Sequence, residues 1–380
     1  MQIRSRVTCR AALAAVLVAA GLACASAAQA APAAGAGIEV SGNHLATLAG
    51  TPVRLLGVDR SSGEYLCINH KATTVFAGPT NAASIAAMTS WHVNAVRLPL
   101  NEDCWLGING VNPRLAGARY QAKVKRYVDL LNAAGLYVIL DLHWAAPGSY
   151  LASEQWPMAD ASHAPAFWHS VASMFTSDHA VLFDLYNEPF ITSWPCWENG
   201  CSTQFKVGNR NVTYQTAGMQ QLVDAVRSTG ASNPLLLGGV GYASDESEWA
   251  QYEPQDPDHQ LAVSFHTYNF TGCNNVGCWN QEIAPLAAKV PVVTGEFGEN
   301  DCNDGYSLSY MNWADAHGVS YLGWAWDATD TGWSCTGGPA LIVNYGGTPT
   351  AYGVGLRSHL ASLASSSSDA GPLASGYFVK

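Results

Sequence analysis

Eight short apolar runs rich in Val, Ile and Leu punctuate the chain, at 53–58, 94–98, 136–142, 181–186, 234–239, 261–265, 292–295 and 320–324. Each is followed by Gly, Pro or polar residues, the punctuation of a buried strand. Between them lie stretches whose apolar residues return at helical spacing. Val124, Val128 and Leu131 do so within 120–134, and Met219, Leu222, Val223 and Val226 within 216–228. Strands apolar on successive positions are covered on both faces, as in a parallel sheet, and eight strand–helix units close a barrel. The expected class is therefore α/β, a (β/α)8 TIM barrel, with a doubly wound open sheet as the competitor that shares the alternation. Before the first run, 38–48 with its Ser41-Gly42-Asn43 turn reads as a small hairpin capping the barrel floor.

The cysteines favour the barrel. Cys67, Cys104, Cys196, Cys201, Cys273, Cys278, Cys302 and Cys335 all fall just after strand ends, segments that a closed barrel gathers as neighbouring loops on one face. Cys67–Cys104, Cys196–Cys201, Cys273–Cys278 and Cys302–Cys335 are the reasonable pairings among about 105 connectivities. The expectation is a set of disulfide-braced loops on the catalytic face. Zinc would need closer paired spacings than Cys196/Cys201 and Cys273/Cys278 offer, so no metal is expected.

The ends of the chain read differently. Arg4, Arg6 and Arg10 precede an apolar run at 11–23, and Ala28-Gln29-Ala30 offers small residues for cleavage. Residues 1–30 are thus a signal peptide, because the run is too short and too Ala-rich to cross a bilayer core of about 30 Å. Lipidation at Cys24 is a minor option, since Gly21-Leu22-Ala23 lacks the Leu three positions before the cysteine. A single catalytic domain is expected over 31–363, with 364–380 a low-complexity tail disordered around 365–368. Export and an even cysteine count agree on a secreted, disulfide-bonded protein.

Composition narrows the partners. Hydrophobic residues make up 48% of the chain and charged ones 12%, enough for a large core under a neutral polar surface. A net charge of -11 without a basic cluster argues against nucleic acid and against anionic membranes. A neutral ligand fits, and a monomer is expected.

Chemistry accumulates at the strand ends, where this fold keeps its active sites. The second run ends in Arg97, the third in Asp141 and His143-Trp144, the fourth in Asn187-Glu188-Pro189. The sixth ends in His266 and Tyr268, the seventh in Glu296, and the eighth in Trp324 and Trp326. Glu188 and Glu296 then face one another across the barrel mouth, an arrangement suited to paired-carboxylate catalysis. Taken singly each residue has a plainer reading: Glu188 opens a helix, Arg97 makes a buried ion pair, and the histidines are satisfied core groups. Glu299 is a rival to Glu296 but lies beyond the strand end in a loop. Asp141 shares the parity of His143, so a structural hydrogen bond is its expected role. No Gly-x-Ser-x-Gly elbow and no His-Glu-x-x-His motif occurs, which excludes the common serine and zinc hydrolase readings. Gly239-Val240-Gly241 lacks the third Gly and the Lys of a phosphate loop.

Arg97, His143, Asn187-Glu188-Pro189, His266 with Tyr268, Glu296 and Trp326, each at the matching strand end, resemble glycoside hydrolase family 5 of clan A. The resemblance covers essentially the whole mature chain. It implies a retaining, cofactor-free hydrolase of β-linked oligo- or polysaccharides, with Glu188 as acid/base and Glu296 as nucleophile. It further implies that Asn187 holds the sugar 2-hydroxyl, that Arg97 and Tyr268 support the nucleophile, and that His143 and His266 orient their surroundings. Endo-β-1,4-glucanase is the commonest activity, with β-mannanase, exo-β-glucosidase and glycoconjugate hydrolase as alternatives. A non-catalytic carbohydrate-binding protein is the alternative of a different class.

Of the thirteen tryptophans, Trp105, Trp144, Trp156, Trp194, Trp197, Trp279, Trp324, Trp326 and Trp333 follow strand ends. Several are expected to stack on sugar rings, with packing of the disulfide loops an equal expectation for Trp105, Trp197 and Trp279. The long segments 145–165 and 190–211 are expected to wall the cleft.

Overall fold

The computed structural model describes residues 37–336 and 338–368; the expected signal segment, Cys24 and residues 369–380 of the tail lie outside them. Eight parallel strands close a barrel: β1 (Leu56–Asp59), β2 (Ala95–Asn101), β3 (Tyr137–Trp144), β4 (Val181–Asp184), β5 (Leu235–Gly238), β6 (Leu261–Tyr268), β7 (Val292–Gly298) and β8 (Ser320–Gly323). The closing pair is β8 with β1, Tyr321 beside Leu56. The open-sheet competitor is thereby excluded.

Side-chain parity divides the interior into two levels. At the floor, Ala95, Ile139, Leu182, Leu236, Ala262, Val293 and Leu322 point inward and pack together. Ile38, Leu45 and Val53 seal them from below. These three belong to an antiparallel sheet of Ile38–Ser41, His44–Thr47 and Pro52–Val53, whose first turn passes through Gly42 at φ +62°. The first apolar run is therefore shared: Val53 pairs with Leu45 in the floor sheet, and the barrel strand starts only at Leu56. Outside the barrel, Val124, Val128 and Leu131 of the helix Ala118–Ala133 are buried, as are Leu222, Val223 and Val226 of Met219–Arg227.

At the upper level the inward positions turn polar, and in β7 they are reset. Phe265 pairs with Thr294 but His266 pairs with Glu296, so Gly295 is an extra residue, a bulge. Strict alternation from inward Val293 would turn Glu296 outward; the bulge brings it back in. A side chain at Gly295 would meet His266 Nε2 at 2.8 Å and Ser264 Oγ at 3.0 Å, which suits glycine to the place.

The two long segments fold onto one another. Within 190–215 the strands Ser202–Val207 and Arg210–Gln215 form a hairpin. Its Val212 and Tyr214, with Phe205 and Val207 alongside, pack on Ala146, Ala152 and Trp156 of the other segment. The alternation of Phe205, Val207, Val212 and Tyr214 around Gly208-Asn209 is the signal that could have identified this hairpin. At the C-terminus the helix Ala351–Ser368 runs into the serine run. Among the described residues no helix is long and apolar enough to cross a membrane.

Four disulfides join Cys67–Cys104, Cys196–Cys201, Cys273–Cys278 and Cys302–Cys335, all beyond strand ends. Chain entropy assigns about 4 kcal/mol to each of the two bridges that close long loops and about 2 kcal/mol to each short one. Thiol titration of denatured, unreduced mature protein is expected to find essentially no free sulfhydryl; several free thiols would contradict these pairings.

Candidate active site

Arg97 lies at the centre of the upper barrel, fully buried. Its Nη1 is 2.8 Å from Glu296 Oε1 and 3.1 Å from Asp59 Oδ1. Its Nε is 2.9 Å from Asp184 Oδ2, and its Nη2 reaches Asp141 Oδ2 at 3.2 Å and Asn187 Oδ1 at 2.7 Å. One guanidinium thus serves four carboxyl groups contributed by β1, β3, β4 and β7. Four buried anions around one cation is an expensive arrangement, and protons relieve it. Burial outweighs the pull of Arg97 and pushes Asp141 and Asp184 each up to about 7, and it raises Asp59 well above the usual carboxylate range.

Glu296 is held from both sides, its Oε2 accepting a hydrogen bond of 2.6 Å from Tyr268 Oη. The Tyr268 phenol is driven well up by burial and then by the charges of Glu296 and Glu188, so it stays protonated and donates. The Glu296 side chain is only 5% exposed, whereas that of Glu188 is 22% exposed and so faces the open mouth. Burial raises the Glu188 carboxyl to about 7, against the opposing influence of His143 and Arg97. A carboxylate oxygen of Glu188, a ring nitrogen of His266 and a carboxylate oxygen of Glu296 all lie within 4.8 Å of one another.

Two histidines complete the centre, both neutral because burial lowers His143 to about 4 and His266 to about 3. His143 Nδ1 is 2.7 Å from Asp141 Oδ2. That oxygen also receives Arg97, so it is an acceptor and Nδ1 carries the imidazole proton. His266 Nδ1 is 3.1 Å from Glu188 Oε1. Trp324 stacks on His143, ring centroids 5.5 Å apart and planes within 15°.

The remaining tryptophans divide. Trp144, Trp324 and Trp333 are partly exposed. Trp105, Trp156, Trp197, Trp279 and Trp326 are buried, which for Trp105, Trp197 and Trp279 is the loop-packing alternative. The indole N–H of Trp105, Trp197 and Trp279 is used on Ser170 Oγ, Gly238 O and Cys273 O, while Trp156 is the core of the hairpin wall. Trp326 donates its backbone N–H to Asp59 O, and its buried ring meets Trp91 edge-on at 4.8 Å. Trp194, 6% exposed, stacks on Tyr252. Glu299, the rival carboxylate, accepts from the backbone N–H groups of Tyr306 and Ser307 and so serves the helix Gly305–Ala316.

Sequence reading overlooked several participants. Asp59 and Asp184 sit in plain apolar strands, legible only through their inward parity. Phe190, two residues past Glu188, stacks on exposed Tyr242 at 4.9 Å, and exposed Phe270 stacks on Tyr268 at 5.1 Å. Among the described residues a second donor set, Cys273, Cys278 and Glu282, also comes within 4.8 Å, but both sulfurs are consumed in a disulfide.

Comparison with known proteins gives a consistent picture. The chain is 22% identical over 301 residues to the endoglucanase MaCel5A of Microbulbifer sp., covering 76% of this chain and 50% of that protein. It is 23% identical over 304 residues to endoglucanase E-5 of Thermobifida fusca, covering 74% and 58%. It spans about half the length of the curated relatives it matches. The crystal structure of the β-glucanase SdGluc5_26A from Saccharophagus degradans, in complex with cellotetraose, superposes with a TM-score of 0.65 at 20% identity, over 90% of this chain and 98% of that one. Residues 50–330, well over half of the chain, match the model of the cellulase family, glycosyl hydrolase family 5, and the protein belongs to that family.

Proposed function

We propose that this protein is a secreted endo-β-1,4-glucanase that cleaves by double displacement with retention of anomeric configuration. The observation that carries the reading is the pair of unlike carboxyl groups, Glu188 and Glu296, with oxygens within 4.8 Å across the barrel mouth. Retaining glycosidases place their two carboxyl groups about 5 to 5.5 Å apart, and inverting ones leave a wider gap for water. The electrostatics divide the labour. Glu188, raised to about 7, keeps a proton for the glycosidic oxygen, while Glu296, bonded to Arg97 and Tyr268, is prepared as the anionic nucleophile. Attack of a Glu296 oxygen on the anomeric carbon breaks the glycosidic bond as Glu188 protonates the departing oxygen. Glu188, now a carboxylate, then takes a proton from the water that releases the sugar.

The β-glucan assignment is supported by relatives named endoglucanases and by neighbours solved with cello-oligosaccharides. Indole and phenyl faces at Trp324, Tyr242 and Phe270 offer stacking surfaces for sugar C–H groups. The four disulfides suit an extracellular location.

A panel of β-glucans, mannans, xyloglucan and aryl glycosides, read by reducing-sugar release with the product anomer followed by NMR, tests this reading. β-Anomer formed first from a β-1,4-glucan is the expected result. Inverted product, or sugar binding without release, would refute it. The pH profile has a defined sign. Glu188 must be protonated to act as the acid, so kcat/KM is expected to fall tenfold per pH unit above about 7, with this limb absent for dinitrophenyl glycosides, which need no protonation to depart. A polysaccharide profile flat to pH 9 would contradict it.

A further inference from the structure

The segment beyond β3 does more than shape the wall. Its residues 155–158 are tied one after another to the chain that follows β4. Trp156 O accepts from Tyr186 Oη at 2.8 Å, and Pro157 O accepts from the backbone N–H groups of Phe190 and Ile191 at 3.0 and 3.1 Å. The N–H of Met158 donates to Tyr214 Oη at 3.2 Å, and that hydroxyl donates to Met158 O at 2.9 Å. Gln155 is thus presented by a fixed stretch of backbone, and its side chain is only partly exposed. Its Oε1 accepts from Asn187 Nδ2 at 3.0 Å, and its Nε2 donates to Glu188 O at 2.5 Å.

The polarity of this chain of amides is determined at its far end. A guanidinium can only donate, so the 2.7 Å contact from Arg97 Nη2 makes the near atom of Asn187 its oxygen. The NH2 of Asn187 is then on the other side, which obliges Gln155 to meet it with oxygen and leaves the Gln155 NH2 for the Glu188 carbonyl. Arg97, Asn187, Gln155 and the backbone of Glu188 form one directed relay, with no member able to flip without setting donor against donor. One hydrogen of Asn187 Nδ2 is spent on Gln155, which aims the other.

We propose that Gln155 is a positioning residue that holds in place the Asn187 amide oriented by Arg97, together with the backbone of Glu188, and so determines how strongly the enzyme grips the 2-hydroxyl of the reacting sugar. This rests on the double-displacement reading above, with Asn187 in the 2-hydroxyl contact that the family resemblance implies. A contact to the 2-hydroxyl strengthens in the transition state, so its aim affects the rate more than ground-state binding.

The test compares Gln155→Ala and the isosteric Gln155→Glu with wild type on dinitrophenyl β-cellobioside and on the same compound lacking the 2-hydroxyl of the reacting sugar. The dinitrophenolate leaving group removes any contribution from Glu188 as acid. Both variants are expected to keep KM within about twofold and to lose roughly tenfold in kcat/KM on the normal substrate, the scale of one lost hydrogen bond. On the 2-deoxy substrate the loss should shrink to less than about twofold. Gln155→Glu retains the acceptor for Asn187 but sets a carboxylate oxygen against the Glu188 carbonyl and so loses the backbone tie; thermal midpoints of both variants matching wild type separate the effect from poor folding. Equal losses on the two substrates, or no loss on either, would overturn the proposal. A wild type that cleaves neither compound would instead overturn the enzymatic reading on which it rests.

Discussion

Replacing Glu296 by alanine is expected to abolish turnover on every substrate, by roughly 10⁵-fold or more, the scale on which enzymes lose a nucleophile. No covalent glycosyl-enzyme can form without it, and Arg97 and Tyr268 are left aimed at an empty position. Glu188→Ala is expected to behave differently, and the contrast is the informative part. Polysaccharide cleavage should fall by about 10² to 10⁴, the usual worth of a general acid, while dinitrophenyl glycosides should retain far more activity because their leaving group departs unprotonated. Azide should then restore part of the rate and yield a β-glycosyl azide, since a small anion can attack the glycosyl-enzyme without a general base. Steady-state kinetics on both substrate types and NMR of the azide product check this. A Glu188 variant fully active on polysaccharide would reverse the assignment.

The second large effect concerns stability. Arg97→Met keeps similar bulk but strips the cation from Asp59, Asp141, Asp184 and Glu296, whose side chains are at most 5% exposed. Breaking a buried pair in this way costs about 3 to 5 kcal/mol. The loss should depend on pH. The aspartates already bind protons more tightly folded than unfolded, and without Arg97 they will do so more strongly. A group with a raised folded pKa contributes stability below its unfolded value, near 4, and loses it as pH rises toward the folded value. The deficit of the variant should accordingly be nearly constant below about pH 6 and widen as pH rises through about 7, where the wild-type aspartates give up protons that the variant retains. Urea midpoints measured at several pH values report it directly; a deficit that stayed constant as pH rose through about 7 would show that the carboxylates do not take up protons.

Much of this was legible in the sequence because barrel strands are covered on both faces and read as uninterrupted apolar runs. The polar residues that end such runs stand out, and that is how Arg97, His143, Glu188, His266 and Glu296 could be singled out. What stayed hidden was of two kinds. Asp59 and Asp184 are single polar residues whose meaning depends on which way they point, and inward parity becomes certain only when the register of neighbouring strands is known. Gly295 reads as an ordinary strand glycine, yet as a bulge it decides the direction of Glu296. Trp326 is a case where the strand-end pattern leaves the side chain's direction open. Its position past a strand end matches the aromatic pattern, but its ring is buried edge-on against Trp91, and Trp324 is the indole beside His143.

The carboxyl–guanidinium cluster hangs entirely from strand residues, Asp59, Arg97, Asp141, Asp184 and Glu296. The wall and its aromatic packing belong to the segments after β3 and β4, outside those strands. Changes confined to the outer wall would therefore alter what the mouth admits while leaving this strand-borne cluster in place. For a protein engineer grafting loops between relatives, the proposed role of Gln155 sets one restriction: a transplanted segment after β3 should still present an amide where Gln155 now meets Asn187.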